Sequence, residues 1–252
     1  MLSELDITKK KNTLDVDCTY VVHVKKGYED RKNLLSQQFA KHQISPEWML
    51  DADLGEIGTD ILEKYIHPGG ELYPVRPITS CTLKHLLIIQ QVVERNLETM
   101  LIFEDDVILD DDFTLIFNNI MKEYRAHKDW KEKPIFISLE NSSHNYVPKS
   151  DREKDRYLYP AKKTRCAGAY VVNNVAAKCI IEHALKHKCH LPIDWYYNYL
   201  IDQNIIEILW SHPTIVEQGS HNGKMASSVS KVRYGRWYKI QWAIKKFIKQ
   251  SS

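Results

Sequence analysis

The run Thr99-Met-Leu-Ile-Phe103 carries no charge and ends abruptly at Glu104-Asp105-Asp106. A short, continuous apolar stretch of this kind suits a strand covered on both faces, which occurs where helices lie on either side of a mostly parallel sheet. The rest of the chain alternates accordingly. Residues 19–24 (TYVVHV) are rich in β-branched and aromatic side chains and stop at Lys25-Lys26-Gly27, which predicts a first strand. Helical spacing of Leu34, Leu35 and Phe39 follows to about His42, and Trp48-Met-Leu50 predicts a second, short strand. Residues 51–78, with Pro68, Pro74, Pro77 and four glycines, read as a long loop around a short helix at 60–65. Loops of that length inside a compact domain are usually functional.

Helices are predicted over 82–95, 113–127, 174–187 and 194–201, and further strands over 134–139, 168–172 and 205–210, with a charged, turn-rich insertion at 141–163. The pattern predicts an α/β protein, a three-layer α/β/α sandwich with a mostly parallel central sheet. Residues 1–17 are polar and unpatterned and are expected to form a loose leader ahead of one domain over 18–230.

In such sheets ligands gather beyond the carboxyl ends of the strands, and Glu104-Asp105-Asp106 stands at one. Three adjacent carboxylates repel and raise one another's pKa unless a cation neutralises them. Mg²⁺ and Mn²⁺ are hard ions that combine one or two carboxylates with phosphate oxygens and water. The later acids, Asp110 to Asp112, precede Phe113 at a helix start and are expected to cap that helix.

These residues carry a resemblance to a known family. Tyr20-Val-Val-His-Val-Lys-Lys-Gly-Tyr-Glu-Asp-Arg31, the segment Ile78-Thr-Ser-Cys-Thr-Leu-Lys-His85 and Leu101-Ile-Phe-Glu-Asp-Asp-Val107 are its first matches in order. Gly168-Ala-Tyr-Val-Val-Asn-Asn-Val-Ala-Ala177, Leu191-Pro-Ile-Asp194 and Pro213-Thr-Ile-Val-Glu-Gln218 follow, with Ser227 and Ser228. Together they resemble glycosyltransferase family 25, the bacterial lipooligosaccharide galactosyltransferase group, over roughly residues 20–230. Ser80 stands where the family has Gly and Lys84 where it has Ser. The resemblance implies a GT-A-like fold, a UDP-sugar donor (galactose most often), Mn²⁺ or Mg²⁺, and inversion at the anomeric carbon.

Inversion needs one carboxylate base to take the acceptor's proton. By position after the strand, Asp106 is the chief candidate metal ligand, with Glu104 and Asp105 on metal, ribose or water. Asp194 is the candidate base, plain N-capping being its other reading. Glu140 is the reserve, and solvent exposure its alternative. Arg31 is a candidate for the diphosphate or uridine, Lys84 for a phosphate, and the family match raises His85 to the site. His221, and also His212, are candidates for closing the metal site. Tyr196, Tyr197 and Tyr199 would either stack on a sugar or pack their helix.

The formal charge of +2 hides a segregation: from Lys231 onward there are seven Lys or Arg and no acids, leaving −5 for residues 1–230. Trp237, Ile240, Ile244, Phe247 and Ile248 recur at helical spacing among those bases, which predicts a basic amphipathic helix over 231–252 suited to an anionic membrane surface. A lipid-linked oligosaccharide acceptor would explain such a helix. Nucleic acid is not expected, since the body is acidic and no nucleic-acid motif appears. Five cysteines without a C-x-x-C pair read as reduced thiols. No signal-like N-terminus and no run of roughly 18 apolar residues is present. The expected place is the cytoplasm, at the inner face of the membrane. Two other classes stay open on the residues alone: a metal-dependent nucleotidyl or phosphoryl transferase, and a peripheral membrane adaptor without catalysis.

Overall fold

In a computed structural model, residues 13–220, 222, 225 and 236–251 are described. A seven-stranded sheet forms the middle layer, built from β1 (Cys18–Val22), β2 (Glu47–Met49), β3 (Thr99–Glu104), β5 (Ile135–Ser138), β6 (Leu158–Ala161), β7 (Ala169–Asn173) and β8 (Glu207–Ser211). Its strand order is β2-β1-β3-β7-β5-β8-β6. Strands β1, β2, β3, β5 and β8 run one way, and β7 and β6 oppose them. The helices are α1 (Glu29–Lys41), α2 (Thr59–Tyr65), α3 (Pro77–Glu94), α4 (Phe113–Ala126), α5 (Asn174–His187), α6 (Ile193–Asp202) and α7 (Arg236–Ser251). This is the three-layer α/β/α sandwich with a mostly parallel sheet that the sequence predicts.

The central strand β3 shows why its sequence is apolar throughout. Met100 and Ile102 point to a core shared with Leu83, Leu86 and Ile89 of α3 and Ala177 and Ile180 of α5. Leu101 and Phe103 point to the opposite core, with Leu35 and Phe39 of α1 and Phe113 and Phe117 of α4. Side chains alternate across a strand, so a strand buried on both sides needs apolar residues at every position.

Four differences from the sequence reading have local causes. Helix α3 begins at Pro77, a turn before residue 82, because proline is preadapted to a first helical position and Thr79 Oγ1 accepts the N–H of Arg76 at 3.2 Å. Strand β6 lies inside the charged insertion, and its Pro160 is tolerated because β6 is at the sheet edge. Two three-residue strands, β4 (Val107–Leu109) and β9 (Val216–Gln218), pair antiparallel outside the main sheet. Residues 13–17, expected in a loose leader, are packed: Leu14 and Val16 are buried, and Asp17 accepts the N–H groups of Glu98 and Thr99 at the start of β3. The remaining leader, 1–12, lies outside the described residues.

At the expected cap of α4, the Asp112 side chain makes no capping bond, and Asp110 Oδ1 instead accepts the Asp112 N–H at 3.1 Å. The tyrosines of α6 follow the packing account. Tyr196 and Tyr197 are buried, and Tyr197 lies 2.8 Å from the Tyr170 hydroxyl.

Phe103 has no exposure and lies between Phe39 and Phe113. Phe103→Ala is expected to lower stability by about 3–5 kcal/mol in urea denaturation, the range for removing a buried aromatic ring.

Candidate functional site

The register of the three parallel strands assembles the site. Val22 stands opposite both Met49 and Glu104, so β2, β1 and β3 end level with one another. Beyond those ends come Asp51 and Asp53, then His23, then Glu104, Asp105 and Asp106. Antiparallel β7 begins where β3 ends, with the Glu104 N–H donating to the Gly168 carbonyl at 2.9 Å. The first turns of α3 and α6 complete the wall. The result is a cleft of about 600 Å³, and Arg31, Asp53, Cys81, Glu104, Asp106 and Asp194 are among its lining. Helix N-termini present unpaired N–H groups and favour anions.

The three adjacent acids have three different environments. Asp105 is neutralised by protein: its carboxylate lies 2.6 Å from Arg31 Nη1 and 2.7 Å from His23 Nδ1. Glu104 is held on both oxygens. Oε1 faces Cys81 Sγ at 3.7 Å and His85 Nε2 at 3.3 Å, and Oε2 accepts from the Gln218 amide. Asp106 alone keeps an open oxygen, since its buried Oδ1 has no hydrogen-bond partner among the described residues. Burial first, and then the charge of Glu104, push the Asp106 carboxyl up to about 6. The mutual repulsion expected of the triple is therefore relieved at Asp105 by the charge of Arg31, and persists at Asp106.

Asp194 sits in the first turn of α6, with Pro192 and not Asp194 at the cap position. Burial and the charge of Glu104 raise its carboxyl above the ordinary value, so it shares the electrostatics of the acidic cluster. The first-turn N–H groups of Trp195 and Asp194 bond the same carboxylate and pull the other way. Glu140 is not solvent-exposed: it is fully buried and outside the cleft lining. Its Oε2 accepts from the N–H and the hydroxyl of Ser142, each at 2.6 Å, while Oε1 has no partner among the described residues. Burial pushes Glu140 up to about 7 against the opposing pull of Ser142 and Arg165.

Lys84 is in the cleft wall but is committed internally. Its Nζ lies 2.7 Å from Asp53 Oδ1 and donates to the Asp51 carbonyl at 2.7 Å, with 1% of the side chain exposed. The expectation that it meets a phosphate gives way to this pinning of the 51–53 loop onto α3, which Ser80 reinforces by donating to the Ala52 carbonyl at 2.7 Å. Arg31 is likewise bound to Asp105. His85 is fully buried with Nδ1 2.8 Å from the Tyr170 hydroxyl. His212 packs edge-on against Tyr159 and is not part of the cleft lining. His221 lies outside the described residues.

Sequence reading did not single out His23, Asp53, Gln218 or Ser220. His23 and Asp53 were findable as polar residues just past predicted strands. Gln218 and Ser220 arrive through the β4–β9 pairing, for which three-residue strands give almost no periodicity. Gly168 leaves room for Gln218: a Cβ there would lie 2.6 Å from the Gln218 side chain.

Fold and site define an α/β protein with an acidic cleft beneath two helix N-termini. The sequence pattern of glycosyltransferase family 25, described as LPS biosynthesis protein, matches residues 17–197, and the chain belongs to that family. A Homo sapiens relative called inactive glycosyltransferase 25 family member 3 is 26% identical over 129 residues, covering 48% of this chain and 22% of that protein. The chain thus spans less than a quarter of that relative's length. Among solved structures, a glycosyltransferase involved in the glycosylation of the major capsid of PBCV-1 has 11% identity and a TM-score of 0.41, covering 84% of this chain and 96% of its own. A putative glucose-1-phosphate thymidylyltransferase from Bacillus anthracis, in complex with a sucrose, has 11% identity and a TM-score of 0.38, covering 87% and 78%.

A carboxyl raised by folding contributes stability that is present below its unfolded value and lost as pH rises through the folded one. For Glu140 that window runs from about 4.5 to about 7. Glu140→Gln is therefore expected to raise the unfolding free energy from urea titration at pH 8, by on the order of 3 kcal/mol at most, with the gain closing toward pH 4.5.

Proposed function

We propose that this chain transfers a hexose, galactose in our reading, from a UDP-sugar to a lipooligosaccharide or lipopolysaccharide core acceptor, with inversion and with Mn²⁺ or Mg²⁺. The observation that carries the reading is the pairing, in one cleft at the strand ends, of a buried carboxylate with an open oxygen, Asp106, and a second carboxylate, Asp194, at a helix start. Family membership includes a relative named as inactive, so catalysis is argued from the cleft.

A divalent cation fits Asp106, because it supplies the partner that buried Oδ1 lacks. Asp106 would hold it, with Glu104 beside it and His221 as the candidate third ligand. When bound, the ion supplies Lewis-acid stabilisation of the departing diphosphate. The chain's own residues do the rest. The positive dipole end of α3 favours the negative end of the donor. Arg31 and His23 hold Asp105 still, and so fix the turn that presents Asp106. Asp194 takes the acceptor hydroxyl's proton as that oxygen attacks the anomeric carbon from the side opposite UDP. Its raised pKa gives the carboxylate greater proton affinity than an ordinary aspartate, as a base requires.

We further assign residues 18–230 to the transferase domain and 231–252 to peripheral attachment on the inner face of the cytoplasmic membrane. Among the described residues no helix is long and apolar enough to cross a membrane. Helix α7 docks through Trp242, which meets the His144 ring, and Lys246, which pairs with Glu217. Trp237, Ile240, Ile244, Phe247 and Ile248 remain exposed on its other side. An apolar stripe flanked by lysines matches an anionic lipid surface.

A donor screen with UDP-galactose, UDP-glucose and UDP-N-acetylhexosamines, with and without Mn²⁺, tests the reading by UDP release. Pyrophosphate as product would point to a nucleotidyl transferase, and no metal-dependent heat with UDP to an adaptor. Asp106→Asn should abolish release in a folded protein. Asp194→Asn should lower kcat by about 10²–10⁴ with little change in donor KM. Deleting residues 231–252 should release the protein from anionic vesicles while sparing transfer to a small soluble acceptor; equal vesicle binding by the truncated chain would refute the attachment.

A further inference from the structure

The acidic centre touches a second donor set with different chemistry. Cys81 and His85 are four residues apart on α3 and so share one helix face. Cys81 Sγ, His85 Nε2 and a Glu104 oxygen all lie within 4.8 Å of one another. Around a tetrahedral zinc ion, the usual Zn–S, Zn–N and Zn–O bonds put nitrogen and oxygen about 3.3 Å apart and sulfur and oxygen about 3.6 Å apart. Here the corresponding separations are 3.3 Å and 3.7 Å. Two of the three separations already match the edges of such a tetrahedron, and the third, sulfur to nitrogen, is within 4.8 Å.

The surroundings support the same geometry. His85 Nδ1 is 2.8 Å from the Tyr170 hydroxyl, which is 2.8 Å from that of Tyr197, so the ring is oriented with Nε2 toward Glu104. Metal-bound histidines are commonly held in this way through their other nitrogen. A thiolate and a carboxylate neutralise a dication, which suits a place where His85 has no exposure. Cys81 and Glu104 both line the cleft, leaving a fourth coordination position to water.

We propose that Cys81, His85 and Glu104 form a zinc site, set apart by its thiolate from the cation assigned to Asp106. Thiolate and imidazole select a borderline-soft ion over Mn²⁺ or Mg²⁺. On binding, the Cys81 thiol loses its proton to solvent and sulfur donates to the metal; no electron transfer is involved. The ion ties the first turns of α3 to the end of β3. The inference does not rest on the proposed transferase reaction, and its test does not read activity.

The test is titration of the metal-free full chain with Co²⁺, a spectroscopic stand-in for zinc. A near-ultraviolet thiolate-to-cobalt charge-transfer band should grow to one ion per chain and vanish when Zn²⁺ is added. Cys81→Ser should lose the band, whereas Asp106→Asn should retain it. Zinc should also raise the melting temperature of the wild type and leave that of Cys81→Ser unmoved. Should Cys81→Ser not fold, His85→Gln takes its place, with a weakened or lost band expected. No band in the wild type, or an undiminished band in the ligand variant that folds, overturns the proposal.

Discussion

Glu104 is gripped from three directions, and the arrangement of the site depends on that grip. Its carboxylate meets Cys81 and His85 from α3 on one oxygen and Gln218 from β9 on the other. These residues come from positions separated by more than a hundred in sequence, and one side chain sets their spacing. The backbone of Glu104 is fixed as firmly, since β3 lies between β1 and β7 with both faces buried. A carboxylate on a rigid strand end, satisfied by neighbours that are themselves buried, has little freedom to reorient. Asp106, two residues later, inherits a fixed position without inheriting partners for both oxygens. The division of labour among adjacent acids therefore comes from which neighbours reach each one.

The fold was legible where burial is two-sided or strictly periodic. The run 99–103 announced a central strand because no polar residue can be tolerated on either face there, and the spacing of Leu115, Ile116, Phe117, Ile120 and Met121 announced α4. What escaped was set by tertiary pairing. Strand β6 contains Pro160 within a charged segment, and only its place at the sheet edge makes the proline harmless. Strands β4 and β9 are too short to carry a period, and each exists because the other is there.

The candidate site was legible to a similar depth. Glu104, Asp105 and Asp106 could be placed at a strand end from sequence, but their separate roles could not, because Arg31 and His23 approach Asp105 from far along the chain. Lys84 is instructive in the same way. A lysine on the helix entering a suspected phosphate site invites a functional reading, and nothing local reveals that Asp53 waits across the loop to bind it. Glu140 looked like a residue just past a strand, yet its full burial appears only once Val216 pairs alongside it.

The internal pairing of Arg31 and Lys84 has a consequence for order. Both cations are matched by carboxylates within the protein, Asp105 and Asp53, and at the rim Lys25 is taken by Glu56. Among the described residues the one basic group that Glu104 meets is the imidazole of His85, and Asp106 and Asp194 have no Lys or Arg ion pair. A nucleotide diphosphate approaching such a cleft meets like charge, so the donor proposed here gains entry once a cation has arrived or in company with one. On the reading proposed here, the cation's concentration would then bear on the apparent affinity for the nucleotide.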